Sequence, residues 1–315
     1  MVQKSIIIIG GGIAGLAAGC YAQMNGYRSQ IFELHYVPGG LCTAWEREGY
    51  TFDGCLQYLF GSGPGQPYHA LWQELGAAQE RTMYHHHELT RVIDGDGNTL
   101  IAYCDPERLA AHMKERSPAD ARLIDGFCRG LQRFTRFDMS LMQQRPKELM
   151  SGLDWASLAQ SMLPYVVPLA RWGRLSAKEF AGRFKDPFLR RAVAQMFGWP
   201  DIPLMVGMFL LAYMNNRNGG FPAGASLAFA RAIEQRYLDL GGQIHYRSPV
   251  EKILVADGSA GRKRAAGVRL YDGDEVYEAD IVISAADGRS TLFDMLDGVF
   301  ADRSLTRLYD GRMPL

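Results

Sequence analysis

The run Ser5-Ile6-Ile7-Ile8-Ile9-Gly10-Gly11-Gly12-Ile13-Ala14-Gly15 decides how the chain begins to fold. Its isoleucines show no polar alternation, which predicts a parallel strand buried on both faces. Past the glycines, Ile13, Leu16, Ala17, Cys20, Tyr21 and Met24 recur on one face of a helix that ends near Gly26. Arg28 to Glu33 then reads as a second strand. Strand, glycine turn, helix and strand in this order make a βαβ unit. Within it, Gly10, Gly12 and Gly15 spell G-x-G-x-x-G. Gly10 permits the tight turn, Gly12 lets a pyrophosphate approach the backbone, and Gly15 brings helix and strand together. Free N–H groups at the helix start face the anion, and Gly11, Ile13 and Ala14 are expected with the three glycines among the cofactor-binding residues. Glu33 ends the second strand, where a carboxylate can accept hydrogen bonds from an adenosine ribose.

The whole chain has 315 residues, enough for about two domains. Its 34 Lys and Arg balance 34 Asp and Glu, so no net field draws it to nucleic acid. Five cysteines, Cys20, Cys42, Cys55, Cys104 and Cys128, form no C-x-x-C pair and no even set, which indicates neither a disulfide framework nor a zinc site and fits a reducing compartment. The apolar stretch from Ile202 to Met214 has 13 residues, short of the roughly 20 that span a bilayer. Leu16-Ala17-Ala18-Gly19-Cys20 after the isoleucine run imitates a lipoprotein signal, but the glycine motif accounts for the same residues. A cytoplasmic protein is expected, either free or peripheral to a membrane.

Farther along, Tyr84 to Ile93 and Thr99 to Cys104 predict a β-hairpin around Asp94-Gly95-Asp96-Gly97-Asn98. Ser117-Pro118-Ala119-Asp120 reads as a capped helix start, continued by Leu123, Ile124, Phe127, Cys128, Leu131 and Phe134. Residues 131–191 are mostly helical in pattern, broken by Pro146, Pro164, Pro168 and Pro187. A helix through Phe229, Ile233 and Tyr237 stops at Gly241-Gly242, and strands follow at Gln243 to Tyr246, Val250 to Val255, Gly267 to Tyr271 and Asp280 to Ser284. The expected class is α/β, with a discontinuous Rossmann-like domain interrupted by an inserted helical and β substrate domain. Residues 1–80 and 220–300 form the former, 81–219 the latter, and 301–315 begin a further segment.

Gly39-Gly40-Leu41, Thr43 and Gly49-Tyr50-Thr51-Phe52-Asp53-Gly54 do not belong to a simple nicotinamide domain. With these residues the chain resembles the FAD-dependent family of phytoene desaturases, carotenoid isomerases and retinol saturase-like proteins, which shares its fold with flavin amine oxidases. Tyr58 to Gly65, Ser117 to Ala121, Gly219 to Gly224, Val250 to Ile253 and Ala279 to Asp287 look like segments of the same family. The resemblance implies FAD as cofactor, with Gly39, Gly40 and Leu41 approaching it and the backbone of Val250 meeting the adenine. It implies a strand from Ile281 near the cofactor, and a lipophilic substrate. It also implies a longer protein, because family members continue past the position matching Leu315.

Several other patterns point to less. Asp94, Asp96, Asn98, Ile101 and Asp105 imitate a calcium loop, but Thr99 replaces its turn glycine and Asp105 is shorter than the required Glu. His85-His86-His87 in a strand puts two imidazoles on one face without a third ligand, so no metal is expected. Arg262-Lys263-Arg264 reads as a solvated loop. Residues 131–191 carry 11 Lys or Arg against 5 Asp or Glu, interspersed with Trp155, Tyr165 and Trp172. Such a surface is open to two readings, an interfacial contact with anionic lipid or a helical cap with solvated charges.

The expected function is an FAD-dependent oxidoreductase acting on carbon–carbon bonds of a long apolar polyene or similar lipid. No protein acid or base is assigned as catalytic, and Asp53, the nearest polar candidate, reads as structural. The alternatives are a non-enzymatic lipid or prenyl binder on the same scaffold, and an inactive fragment of the enzyme.

Overall fold

The computed structural model describes residues 3–137, 147–258, 261–271 and 275–310. In chain order the first elements are β1 (Ser5–Ile9), α1 (Ile13–Met24), β2 (Arg28–Phe32), β3 (Ala44–Arg47), β4 (Tyr50–Asp53), β5 (Leu59–Phe60), α2 (His69–Glu74), β6 (Met83–Tyr84), β7 (Glu88–Ile93) and β8 (Thr99–Tyr103). Helices follow as α3 (Pro106–Arg116), α4 (Ala121–Phe134), α5 (Gly152–Met162), α6 (Val166–Trp172), α7 (Ala177–Ala181), α8 (Pro187–Gln195) and α9 (Leu204–Asn215). The chain then forms β9 (Gly219–Pro222), α10 (Ala225–Asp239), β10 (Gln243–His245), β11 (Val250–Asp257), β12 (Lys263–Leu270), β13 (Val276–Glu278), β14 (Ile281–Ser284) and α11 (Arg303–Tyr309).

These elements cluster into two compact units. The first takes Met1–Leu56, Trp72–Arg81 and Gly224–Leu315; the second takes Gln57–Leu71 and Thr82–Ala223. The α/β class is observed. In the first unit β10, β2, β1 and β14 lie side by side in that order, all parallel. Central β1 is flanked on both edges and covered on both faces, which is why Ile6 to Ile9 are at most 5% exposed and need no polar alternation. A three-stranded antiparallel sheet, β11-β12-β13, adds Ile253, Val268 and Leu270 to a core shared with Ile7, Ile9 and Phe32.

The second unit is built on a mainly helical core. Phe127, Phe134, Trp172, Phe180 and Phe184 are its largest fully or nearly fully buried side chains, with Trp172 and Phe180 meeting edge-on at 5.6 Å. α9 is apolar all round, and most of its residues are buried, as an interior helix requires. No helix among the described residues is long and apolar enough to cross a membrane.

Four local readings of the sequence need correction. Tyr84 to Ile93 is not one strand: β6 pairs with β9 and β7 pairs with β8, so the chain breaks at His85–His87 to serve two partners. Ser117-Pro118-Ala119-Asp120 makes a 3-10 turn before α4, not a capped start. The buried Asp120 carboxylate instead accepts the Lys185 amide at 2.9 Å and the Asp186 amide at 3.1 Å, tying the α7–α8 connection to this turn. Pro168 lies in the first turn of α6, where its missing N–H costs nothing, while Pro146 falls outside the described residues. Finally, Lys263 and Arg264 belong to β12, paired with Asp257 and Ala256, where the long antiparallel partner extends the strand beyond its apolar stretch.

Candidate functional site

The corner where β1 passes into α1 is held from three sides. The Gly10 amide donates to Phe32 O of β2 at 2.8 Å, and the Ala285 amide, just past β14, donates to Ile9 O at 2.9 Å. A Cβ on Gly15 would lie 1.9 Å from Gly10 O, so only glycine lets α1 sit this close to the strand end. Gly12 caps α1 with φ −67° and offers no side chain to the first amides. Those amides at Ile13, Ala14 and Gly15 have no intrahelical acceptor, and they leave the positive end of the helix open to an anion. A Cβ on Gly12 would meet nothing nearer than Gly39 O at 3.9 Å. There is room at that position that the protein itself does not use.

The glycine pair closes the corner. The Gly39 amide donates to Gly11 O at 2.9 Å, and Gly12 and Gly39 form an isolated parallel bridge. Gly39 has φ +109°, and a Cβ there would lie 2.3 Å from Cys42 O and 2.9 Å from Ala230 of α10. This position therefore requires glycine on both conformational and steric grounds. Gly40 is exposed beside it, and Leu41 stands 89% exposed.

Glu33 is only 8% exposed and fully engaged with backbone. One carboxylate oxygen accepts the Gly11 amide at 2.5 Å, the other the His35 amide at 2.7 Å. Its own amide donates to His245 O, and its carbonyl accepts the Ser248 amide, both at about 2.8–2.9 Å. Residues 245–248 thus lie alongside Glu33, and Val250 follows at the start of β11. The Val250 side chain is 9% exposed and packs in the core with Phe32. The structure accordingly gathers Gly10, Gly11, Gly12, Ile13, Ala14, Gly15, Glu33, Gly39 and Gly40 around one corner, with Ala285 and Ala230 as close neighbours. Composition and spacing did not single out either alanine; their only signal is small size where backbones converge.

Asp53 is a strut. Its carboxylate accepts the Ser226 hydroxyl at 2.5 Å, the Ser226 amide at 2.7 Å and the Cys55 amide at 3.0 Å. Burial pushes its pKa up, but the Ser226 hydroxyl and the surrounding amides outweigh that and hold the carboxyl below its usual range. Ser226 itself is completely buried and accepts the Leu56 amide at 2.7 Å. The β3–β4 hairpin is thereby fixed to the start of α10, the helix that backs Gly39.

The decoys resolve in the second unit. Asp94 Oδ1 accepts the amides of Asp96 and Asn98 at 3.1 and 3.0 Å, and Arg191 approaches Oδ2 at 3.5 Å, so this carboxylate closes the hairpin turn. His85 leaves the neighbouring strands and faces Gly220; burial, with Arg217 and His86 nearby, lowers its basicity. No group of three or more His, Cys, Asp or Glu among the described residues is placed to hold a metal ion.

Comparison with known proteins agrees with this corner. A family model described as an NAD(P)-binding Rossmann-like domain matches residues 8–75. A zeta-carotene-forming phytoene desaturase from Myxococcus xanthus is 29% identical over 90% of this chain and 53% of its own length. A chloroplastic prolycopene isomerase from an Oncidium hybrid is 24% identical over 90% of this chain and 48% of its own. Among solved structures, an oxidoreductase from Methanosarcina mazei superposes with a TM-score of 0.59 at 21% identity, covering 96% of this chain and 64% of that one. The chain spans about half the length of the curated relatives it matches. The glycine corner, the parallel sheet and an alignment over about 90% of this chain make it similar to phytoene desaturases and prolycopene isomerases.

Proposed function

We propose that the glycine corner binds FAD and that the protein is an oxidoreductase acting on carbon–carbon bonds of a long apolar polyene or a similar lipid. The observation that carries the cofactor assignment is the space at Gly12, beside uncapped helix amides and within reach of a strand-end carboxylate. In this reading the amides of Gly12, Ile13, Ala14 and Gly15 face the diphosphate, and Gly11 acts by holding Glu33 toward the ribose. Gly39, Gly40 and Leu41 approach from the opposite side, and the Val250 backbone lies by the adenine. When bound, the flavin supplies hydride exchange with carbon. The protein contributes orientation, and Asp53 keeps the hairpin and α10 in place without taking a proton in the reaction.

The substrate class rests on the phytoene desaturases and prolycopene isomerases that the chain matches. The second unit is the proposed substrate domain, peripheral to a membrane. Leu153, Trp155, Leu163, Val166 and Val167 on and between α5 and α6 are all exposed, which suits shallow contact with lipid.

Titration of the purified protein with FAD, followed by flavin fluorescence, tests the cofactor assignment. Saturable quenching is expected for the natural sequence, and a loss of about tenfold or more in affinity for Gly12→Ala, whose methyl takes the space the diphosphate needs. Equal affinity in both, or no binding by the natural sequence, overturns it.

A further inference from the structure

The second unit also contains a cleft to which the reading above assigns no ligand. It lies between α4 and α6, has a volume of about 400 Å³, and is lined by Arg129, Arg133, Arg136 and Arg171, with Trp172 and Val167 among its walls. Arg129 and Arg133 sit one turn apart on the exposed side of α4, whose other side is buried through Ile124, Phe127, Leu131 and Phe134. Arg136 follows in the turn after the helix, fixed by the Tyr165 hydroxyl donating to its carbonyl at 2.9 Å. Arg171 reaches across from α6, its guanidinium 4.6 Å above the ring of Trp172.

Two glycines make this approach possible. A Cβ on Gly126 would come within 3.2 Å of the Arg171 guanidinium, and one on Gly130 within 2.9 Å of the Trp172 indole nitrogen. Their absence of side chains lets α6 lie against α4 and brings the fourth arginine to the other three. Among the described residues, none of the four guanidinium groups has a carboxylate partner. Asp125, one turn before Arg129 on α4, is paired with Lys114 at 2.8 Å, and Arg129 adds a weaker, longer-range attraction to it. Four permanent positive charges around one concavity, with no acid among the described residues of its lining, raise the local potential and favour an anion there. Planar guanidinium forks match the oxygens of a phosphate better than ammonium groups do.

We infer that the α4–α6 cleft binds a phosphate group, carried either by a lipid headgroup or by a soluble phosphate. This site is separate from the proposed flavin corner, and its test does not depend on flavin binding. Because the glycine corner also accepts phosphate oxygens, both arms use the Gly12→Ala protein, with and without Arg133→Gln and Arg171→Gln together. One arm measures inorganic phosphate by calorimetry. The other measures co-flotation with phosphatidylcholine vesicles, plain or doped with phosphatidic acid.

The expected result is that at least one probe binds and that the double arginine change weakens it about tenfold or more, the worth of one charge-assisted hydrogen bond. Binding of phosphatidic acid vesicles without binding of inorganic phosphate identifies the headgroup as the source, and the reverse identifies a soluble phosphate. The arginines are exposed, so an unchanged melting temperature verifies that the variant is folded. Failure of both probes to bind, or equal binding with and without the arginines, overturns the site.

Discussion

The Gly11 amide donates to the Glu33 carboxylate at 2.5 Å, so the acid at the end of β2 is anchored to the turn at the end of β1 before any ligand arrives. Its second oxygen is taken by the His35 amide at 2.7 Å. A glutamine has a single acceptor oxygen, and its amino group would face one of these donors. Glu33→Gln is expected to destabilise the protein by about 1–3 kcal/mol and to weaken dinucleotide binding together with it. Chemical denaturation and FAD titration measure the two effects; a variant with natural stability would show that this anchor is dispensable.

The glycines of the corner are expected to separate cleanly on substitution. Gly12→Ala introduces no contact nearer than 3.9 Å and has an ordinary φ, so its melting temperature should change little, with a cost of about 1 kcal/mol at most. Gly15→Ala drives a methyl to within 1.9 Å of Gly10 O and is expected to cost about 3 kcal/mol or more. Thermal denaturation of the two variants decides. Equal loss in both would mean that the close packing of α1 on β1 is not what fixes Gly15.

Asp120 predicts a particular response to acid. Burial pushes its carboxyl up, but the amides of Lys185 and Asp186 and the Ser117 hydroxyl outweigh burial and hold it below the ordinary range. A folded value below the unfolded one stabilises the protein above the unfolded value, about 3.9, and the stabilisation fades as pH falls through the folded value. Asp120→Asn should therefore be less stable than the natural protein at neutral pH by about 1–3 kcal/mol. That gap should narrow below about pH 4. Urea titrations across this range provide the measurement, and a gap independent of pH would contradict the assignment.

Thiol chemistry offers a fourth check. Burial pushes Cys20 up to about 11 and Cys42, Cys104 and Cys128 to about 12, whereas Cys55 is exposed. At pH 8 Ellman's reagent should label Cys55 rapidly and the other four only after denaturation. Fast release of more than one equivalent from the native protein would show that these thiols are reached through local opening.

The opening βαβ unit was legible because each of its signals is local. An isoleucine run, three glycines at fixed spacing and one helical stripe are enough for β1, α1 and β2, and Glu33 follows from where β2 stops. The pairing of β1 with β14, Ile6 beside Ile281, carries no such signal, since a buried parallel strand looks the same whichever neighbour it has. The same limit hid the break at His85–His87, which exists because two different partners claim the flanking residues. Asp120 resembled the acid of a capping box by its spacing from the cap candidate Ser117, but tertiary packing turned it toward the Lys185 amide. At the site, Gly39 stood out by residue type. Ala230 and Ala285 did not, because their contribution is the side-chain volume they lack.

The pairing of Ile6 with Ile281 sets a timetable for biosynthesis. A ribosome adding about 5–20 residues per second works for tens of seconds after releasing β1 before it completes β14. During that interval the isoleucine edge that β14 will cover stays open to water, to chaperones and to other nascent chains. The helical unit encoded in between can mature first, so β1, translated long before β14, is among the last segments to reach its final neighbours.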